Sequence, residues 1–175
     1  MKHGIHEVTS FEELRDIRSS VLGASDFSVE HRCLVPDISD SVGLNLGRFE
    51  NGKLLSTFRA LPVFTARELE ENLDFPKVLE LEYPGVVFGK ASSVPEARGR
   101  GYIRELFFEM MRRSAGYKFV ALTTKPSNPL NDFLLQEGFE RILNPDGWHR
   151  FGYQSHGPTY VFIKKLFPTS SLVTQ

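Results

Sequence analysis

Apolar positions along the chain alternate with polar ones in some stretches and recur every three to four residues in others, and these two rhythms separate strands from helices. Residues 5–8 alternate as a short strand. Thr9 and Ser10 then open a helix with Glu12 and Glu13 in its first turn, and Leu14, Ile17, Val21 and Leu22 carry its apolar face to about residue 22. The pattern weakens over residues 23–41, where Pro36 falls, and predicts a loop with one short helix. Residues 43–49 and 53–61 alternate on either side of Glu50-Asn51-Gly52. Asn-Gly between two such runs predicts a tight hairpin. An acid-rich helical stretch at 65–73 and the segment 78–83 follow, before Pro84-Gly85 breaks the chain and a strand resumes over 86–94.

The second half is more regular. Ile103, Leu106, Phe107, Met110 and Met111 share one side of a helix, with Arg104, Glu105, Glu109, Arg112 and Arg113 on the other. Residues 118–123 form a short apolar run suited to a buried strand. Asn128-Pro129 starts a further helix that runs to about Gln136 and stops at Gly138. Residues 139–143, 148–153 and 160–165 are expected as closing strands. This order predicts an α/β fold with a mixed sheet, and no linker or repeat divides residues 1–175, so a single domain is expected.

Composition changes this picture in three places. Fifteen phenylalanines build a core, or line a pocket, with aromatic rings. A net charge of −1 supplies no field that would draw nucleic acid or anionic lipid, and no nucleic-acid partner is expected. The lone cysteine, Cys33, excludes an intramolecular disulfide and a cysteine-rich zinc site, and reads as a small, partly buried thiol. His149 and His156 have no metal-ligand spacing, so no metal is expected. The first residues lack the apolar core of a signal peptide and no run approaches membrane-spanning length, which makes the cytoplasm the expected compartment.

The chemistry concentrates in Val94-Pro95-Glu96-Ala97-Arg98-Gly99-Arg100-Gly101-Tyr102, between a strand and a helix. Glycines there let the backbone curl until several amides point one way, while the helix start and the arginines add positive charge. Such a nest suits a diphosphate. It is neither a Walker loop nor a dinucleotide fingerprint, since GxxxxGK[ST] is absent and the third glycine of GxGxxG falls at Arg104.

Arg98, Gly99, Arg100, Gly101 and Tyr102 resemble the [QR]-x-x-G-x-[GA] loop of the GNAT superfamily, with residues 91–96 as the feeding strand and turn. Ile103 stands where that motif usually ends in Gly or Ala. Asn131, Phe133 and the closing Glu137-Gly138-Phe139 are similar to the superfamily's fourth helix and the Gly-Phe after it. The resemblance covers roughly the second half of the chain. It implies a mostly antiparallel central sheet flanked by helices, and transfer of an acyl group from acetyl-CoA or another acyl-CoA to a small-molecule or peptide amine. By the same resemblance Arg98, Gly99, Arg100, Gly101, Tyr102 and Ile103 would bind the pyrophosphate. Ser92, Ser93 and Val94 would pair with the acyl arm, and Asn131 would contact the cofactor. Glu80 and Glu82 are the candidate bases on position alone, although a solvated strand face accounts somewhat better for each of them singly. The helix position that often carries a thiolate-protonating tyrosine is Leu134 here.

The stretch of about two dozen residues at 62–84, with Arg59 before it, resembles acyl-homoserine-lactone and N-acyl amino acid synthases. It implies Arg59 and Phe88 as substrate contacts and an acyl-carrier protein or long-chain acyl-CoA as donor, with Phe107 and Phe108 beside an acyl groove. The lactone-synthase Glu and Arg fall at Phe88 and Ala91, which counts against that branch. Three readings therefore stand: acetyl transfer, long-chain transfer from a carrier, and a domain that binds an acyl thioester or a partner without turnover. A monomer and a homodimer are equally compatible with the sequence.

Overall fold

The computed structural model describes residues 2–22, 38–73, 80–145, 147 and 157–166. The expected strand at 148–153, and with it Cys33, His149 and His156, lie outside them. Among the described residues seven strands form one sheet in the order β1-β2-β3-β4-β5-β7-β6. The strands are β1 Gly4–Glu7, β2 Leu44–Glu50, β3 Lys53–Val63, β4 Gly85–Ser93, β5 Phe119–Thr124, β6 Glu140–Asn144 and β7 Thr159–Lys165. Every neighbouring pair is antiparallel except β4 and β5. The helices are α1 Phe11–Leu22, α2 Ile38–Val42, α3 Ala66–Leu73, α4 Tyr102–Arg113 and α5 Leu130–Gln136. None of them is long and apolar enough to cross a membrane.

Local chemistry sets the boundaries. The β2–β3 hairpin turns on Asn51 (φ 50°) and Gly52 (φ 82°), the two positive φ values a two-residue turn of this hand demands. Ser10, rather than Thr9, caps α1 by accepting the Glu13 amide at 3.2 Å. Gly138 (φ 80°) ends the chain's exit from α5. At the start of β4 a Cβ on Gly85 would lie 2.0 Å from the Phe119 ring, so only glycine lets that ring cover the strand.

Alternation along the strands sends alternate residues into separate cores. Phe58, Ala60, Val86, Phe88, Val120, Leu122 and Phe162 pack against Leu106, Phe107 and Met110 of α4 and Phe133 and Leu134 of α5. Val63, Val87, Phe119, Ala121, Val161 and Ile163 pack against Leu69 and Leu73 of α3. The helix in the 62–84 stretch therefore belongs to the core. Helix α1 closes the β1–β2 end through Leu14, which packs with Val8 and Phe49, while Ile17 meets Leu55.

Candidate active site

Strands β4 and β5 run parallel but are paired only at Val86/Val120, Val87/Ala121 and Phe88/Leu122. Beyond Phe88 they part. The gap is a cleft of about 230 Å³, lined by Gly89, Lys90 and Ala91 from β4 and by Leu122, Thr123 and Thr124 from β5. Ile103, Arg104, Phe107, Phe133 and Leu134 of α4 and α5 complete its wall. Its inner end is aromatic. Phe58 and Phe88 meet edge to face at 5.4 Å, and Phe107 lies 5.9 Å from Phe88 and 5.2 Å from Phe133. The phenylalanines thus serve as core and as pocket wall at once. A Cβ built on Gly89 would meet nothing within 4 Å, so the glycine leaves the gap open.

The glycine loop stands at the mouth. After β4 comes one 3-10 turn, Pro95–Ala97, and then Gly99 and Gly101 at φ 77° and 81°, in the left-handed region that favours glycine. Among the described residues no backbone carbonyl accepts from the amides of Gly99, Gly101, Tyr102, Ile103 or Arg104, whereas the Arg100 amide reaches Ala97 and the Glu105 amide Gly101. Five such donors, at and just before the start of a twelve-residue helix, are chemically suited to an anion. Ile103 and Arg104 belong to both nest and cleft.

Arg100 and Tyr102 serve this loop through their side chains. The Tyr102 hydroxyl donates to one Glu50 oxygen and Arg100 Nη1 lies 3.4 Å from the other, which ties the loop to the end of β2. Lys53, beginning β3, holds Glu96 at 2.5 Å. The hydrogen bond from Tyr102, followed by the charges of Arg100, Arg48 and His3, holds the Glu50 carboxyl below its ordinary value, against some desolvation. A depressed carboxylate contributes stability above its unfolded value of 4.5 and loses it as pH falls through the folded one. The Tm difference between wild type and Glu50→Gln is accordingly expected to be full at neutral pH and to shrink as the pH is lowered through 4.5. A difference that does not change with pH would refute this brace.

The remaining sequence candidates divide. Phe88 lines the cleft. Ser92 and Val94 are buried and continue β4 toward the loop, while Ser93 is spent on Ser56 at 2.7 Å. Arg98 is exposed on the loop's outer turn. Glu80 and Glu82 are exposed, precede β4 at the end away from the cleft, and do not line it. The described residues 80–83 form no strand. Asn131 is also turned elsewhere: it accepts from Thr124 Oγ1 at 2.6 Å and donates to the carbonyls of Lys125 and Pro126. It therefore pins the β5–α5 connection, and the asparagine on the cleft is Asn128.

Arg59 does not reach the cleft either. Its Nη1 lies 2.5 Å from Ser39 Oγ and 3.5 Å from Asp40 Oδ1. Asp40 is the hub of a buried charge cluster that the sequence did not reveal. Arg18 grips both its oxygens, at 2.9 and 3.0 Å, and Lys90 Nζ is 3.0 Å from Oδ2. Asn45 accepts from Arg18 at 3.3 Å and donates to the Asp40 carbonyl at 2.8 Å. Thr123 also lines the cleft without a sequence signal, and its buried hydroxyl oxygen has no hydrogen-bond partner among the described residues.

Solved structures share this fold. The ribosomal-protein-S18-alanine N-acetyltransferase of Escherichia coli superposes with a TM-score of 0.61 at 14% identity, over 98% of either chain. This chain has the GNAT fold. A GNAT family acetyltransferase of Brucella melitensis in complex with acetyl-CoA gives a TM-score of 0.58 at 16% identity, over 95% of this chain and 91% of that one. An acyl-CoA N-acyltransferase of Pseudomonas aeruginosa gives 0.61 at 19% identity, over 93% and 99%. No family model matches the sequence, and no curated protein does.

Proposed function

We propose that the chain is an N-acyltransferase that takes its acyl group from acyl-CoA and passes it to a primary amine. The observation that carries this reading is the parting of β4 and β5 after three residue pairs, with the five-amide nest at the mouth of the gap. A pantetheine arm is narrow and carries amides of its own, so it can lie between two strand edges as a strand would. The nest then meets its diphosphate. A main-chain amide of β4 polarises the thioester carbonyl. The amine nitrogen attacks the carbonyl carbon, the C–N bond forms, the C–S bond breaks and the thiolate leaves with the bonding pair. The amine's surplus proton passes to water. Leu134 fills the position of a thiolate-protonating tyrosine, and a thiolate, whose aqueous pKa is about 8.5, departs without such help.

Four aromatic rings at the inner end favour a donor longer than acetyl. Thermal unfolding with acetyl-CoA, long-chain acyl-CoA and free coenzyme A tests both statements. A ligand at a hundred times its Kd adds about 2.7 kcal/mol to the folded state, and the largest rise in Tm identifies the chain length. No rise with any of the three would remove acyl-CoA as donor. A salt-sensitive rise with acylated carrier protein alone would then transfer the assignment to that donor.

A further inference from the structure

Lys90 combines three observations that the catalytic scheme above does not use. It is one of two non-glycine residues at positive φ among the described residues, at 50°. The other, Asn51, belongs to a tight turn. Lys90 lies in the middle of a nine-residue strand, where an L side chain rarely adopts this conformation. It also marks the place where β4 slips against β3: Thr57 pairs with Ser92 and Arg59 with Gly89, so β4 spends one residue more than β3 over the same length. The extra residue falls within Gly89–Ala91, the part of β4 that lines the cleft. Finally, the Lys90 ammonium is 3.0 Å from Asp40, and 7% of its side chain is exposed. Asp40 is not part of the cleft. It is fixed from α1 by Arg18 and from β2 by Asn45.

We infer that Lys90 is a positioning residue: its ion pair with Asp40 holds the β4 bulge in the shape that turns strand amides toward the thioester. The inference rests on the acyl-thioester reading. A bulge re-aims the groups beside it, and a strained residue keeps its shape only where its surroundings enforce it. Here the enforcing contact is a side chain anchored to the far side of the strand, so acyl-donor binding and carbonyl polarisation depend on different parts of the protein. The nest holds the diphosphate. Lys90 sets the amides that act on the carbonyl.

Lys90→Met removes the anchor while Asp40 keeps its two-oxygen contact with Arg18, and Lys90→Arg restores a cation of similar reach. With an acyl-CoA substrate and a saturating amine, Lys90→Met is expected to lose about 30-fold in kcat with KM for acyl-CoA within about twofold. That is less than the 10²–10³ lost when an oxyanion donor is removed outright. Lys90→Arg is expected to recover most of the loss. A merely structural role would move Tm and KM instead. Amide chemical shifts of the ¹⁵N-labelled chain titrated with acetyl-CoA supply a second readout. In the wild type both Gly89–Ala91 and Gly99–Ile103 are expected to shift, and in Lys90→Met only the second group. Shifts in both groups in Lys90→Met, or a kcat within twofold of wild type, overturn the inference and leave the donor assignment intact. No shift anywhere in the wild type overturns the donor assignment, and the inference with it.

Discussion

Asp40→Asn is expected to cost about 3–5 kcal/mol of folding stability, the range found when one member of a buried ion pair is removed. The guanidinium of Arg18 is 2% exposed and both its terminal nitrogens donate to Asp40. An amide in that place accepts with one atom and presents N–H to N–H with the other. Asn45 Oδ1, at 3.3 Å, would be the remaining acceptor shown for Arg18 among the described residues. Arg59 and Lys90 make the site more positive once the carboxylate charge is gone. Domains are stable by about 5–15 kcal/mol in all, and at this size 1 kcal/mol is worth roughly 2–4 °C. Chemical denaturation of wild type and Asp40→Asn measures the loss directly. A difference below about 1 kcal/mol would mean that the cluster is not held by Asp40.

Gly101→Val is expected to have the opposite signature, a small loss of stability with a large loss of binding. Nothing lies within 4 Å of a Cβ at Gly101, so the substitution makes no clash. What it meets is the backbone: φ is 81°, and left-handed geometry costs an L residue about 1–2 kcal/mol, more when it is β-branched. The loop escapes that cost by rotating, and rotation turns away the Gly101, Tyr102 and Ile103 amides together. The rise in Tm with coenzyme A should vanish, while the ligand-free Tm falls by a few degrees at most. Gly116→Ala, at an exposed glycine with open space around it, is the control that should keep the rise. A Gly101→Val protein that still binds coenzyme A would show that the diphosphate lies elsewhere.

The hairpin, the glycine loop and the helices after it could be read from the sequence because each depends on neighbours within a few residues. Asn51-Gly52 needs only its own φ angles, and Gly99 and Gly101 only the helix that follows them. The parting of β4 from β5 is legible only by resemblance, since pairing between strands some thirty residues apart leaves no local mark. Lys90 and Asp40 lie fifty residues apart and meet through the way α2 packs, so neither one alone announces the cluster. Glu80 and Glu82 show the converse. Their alternation with Leu79, Leu81 and Tyr83 imitates a strand, but the Pro84-Gly85 break delays β4 until after them, and the acids remain in solvent. Asn131 matches a motif position, and its side chain bonds with Thr124, Lys125 and Pro126 in the β5–α5 connection, contacts that a motif does not announce.

A sheet joined at its middle by three residue pairs behaves mechanically as two leaves on a short spine. One leaf is β1–β4, the other β5–β7, and the aromatic rings of Phe58, Phe88 and Phe107 stiffen the spine itself. An arm that hydrogen-bonds to both free edges acts as a clasp between the leaves. Its occupancy should therefore be felt as slower amide exchange along β4 and β5 together, well away from the diphosphate. A headgroup without the arm, such as adenosine diphosphate, would grip the loop and leave the leaves as loose as before.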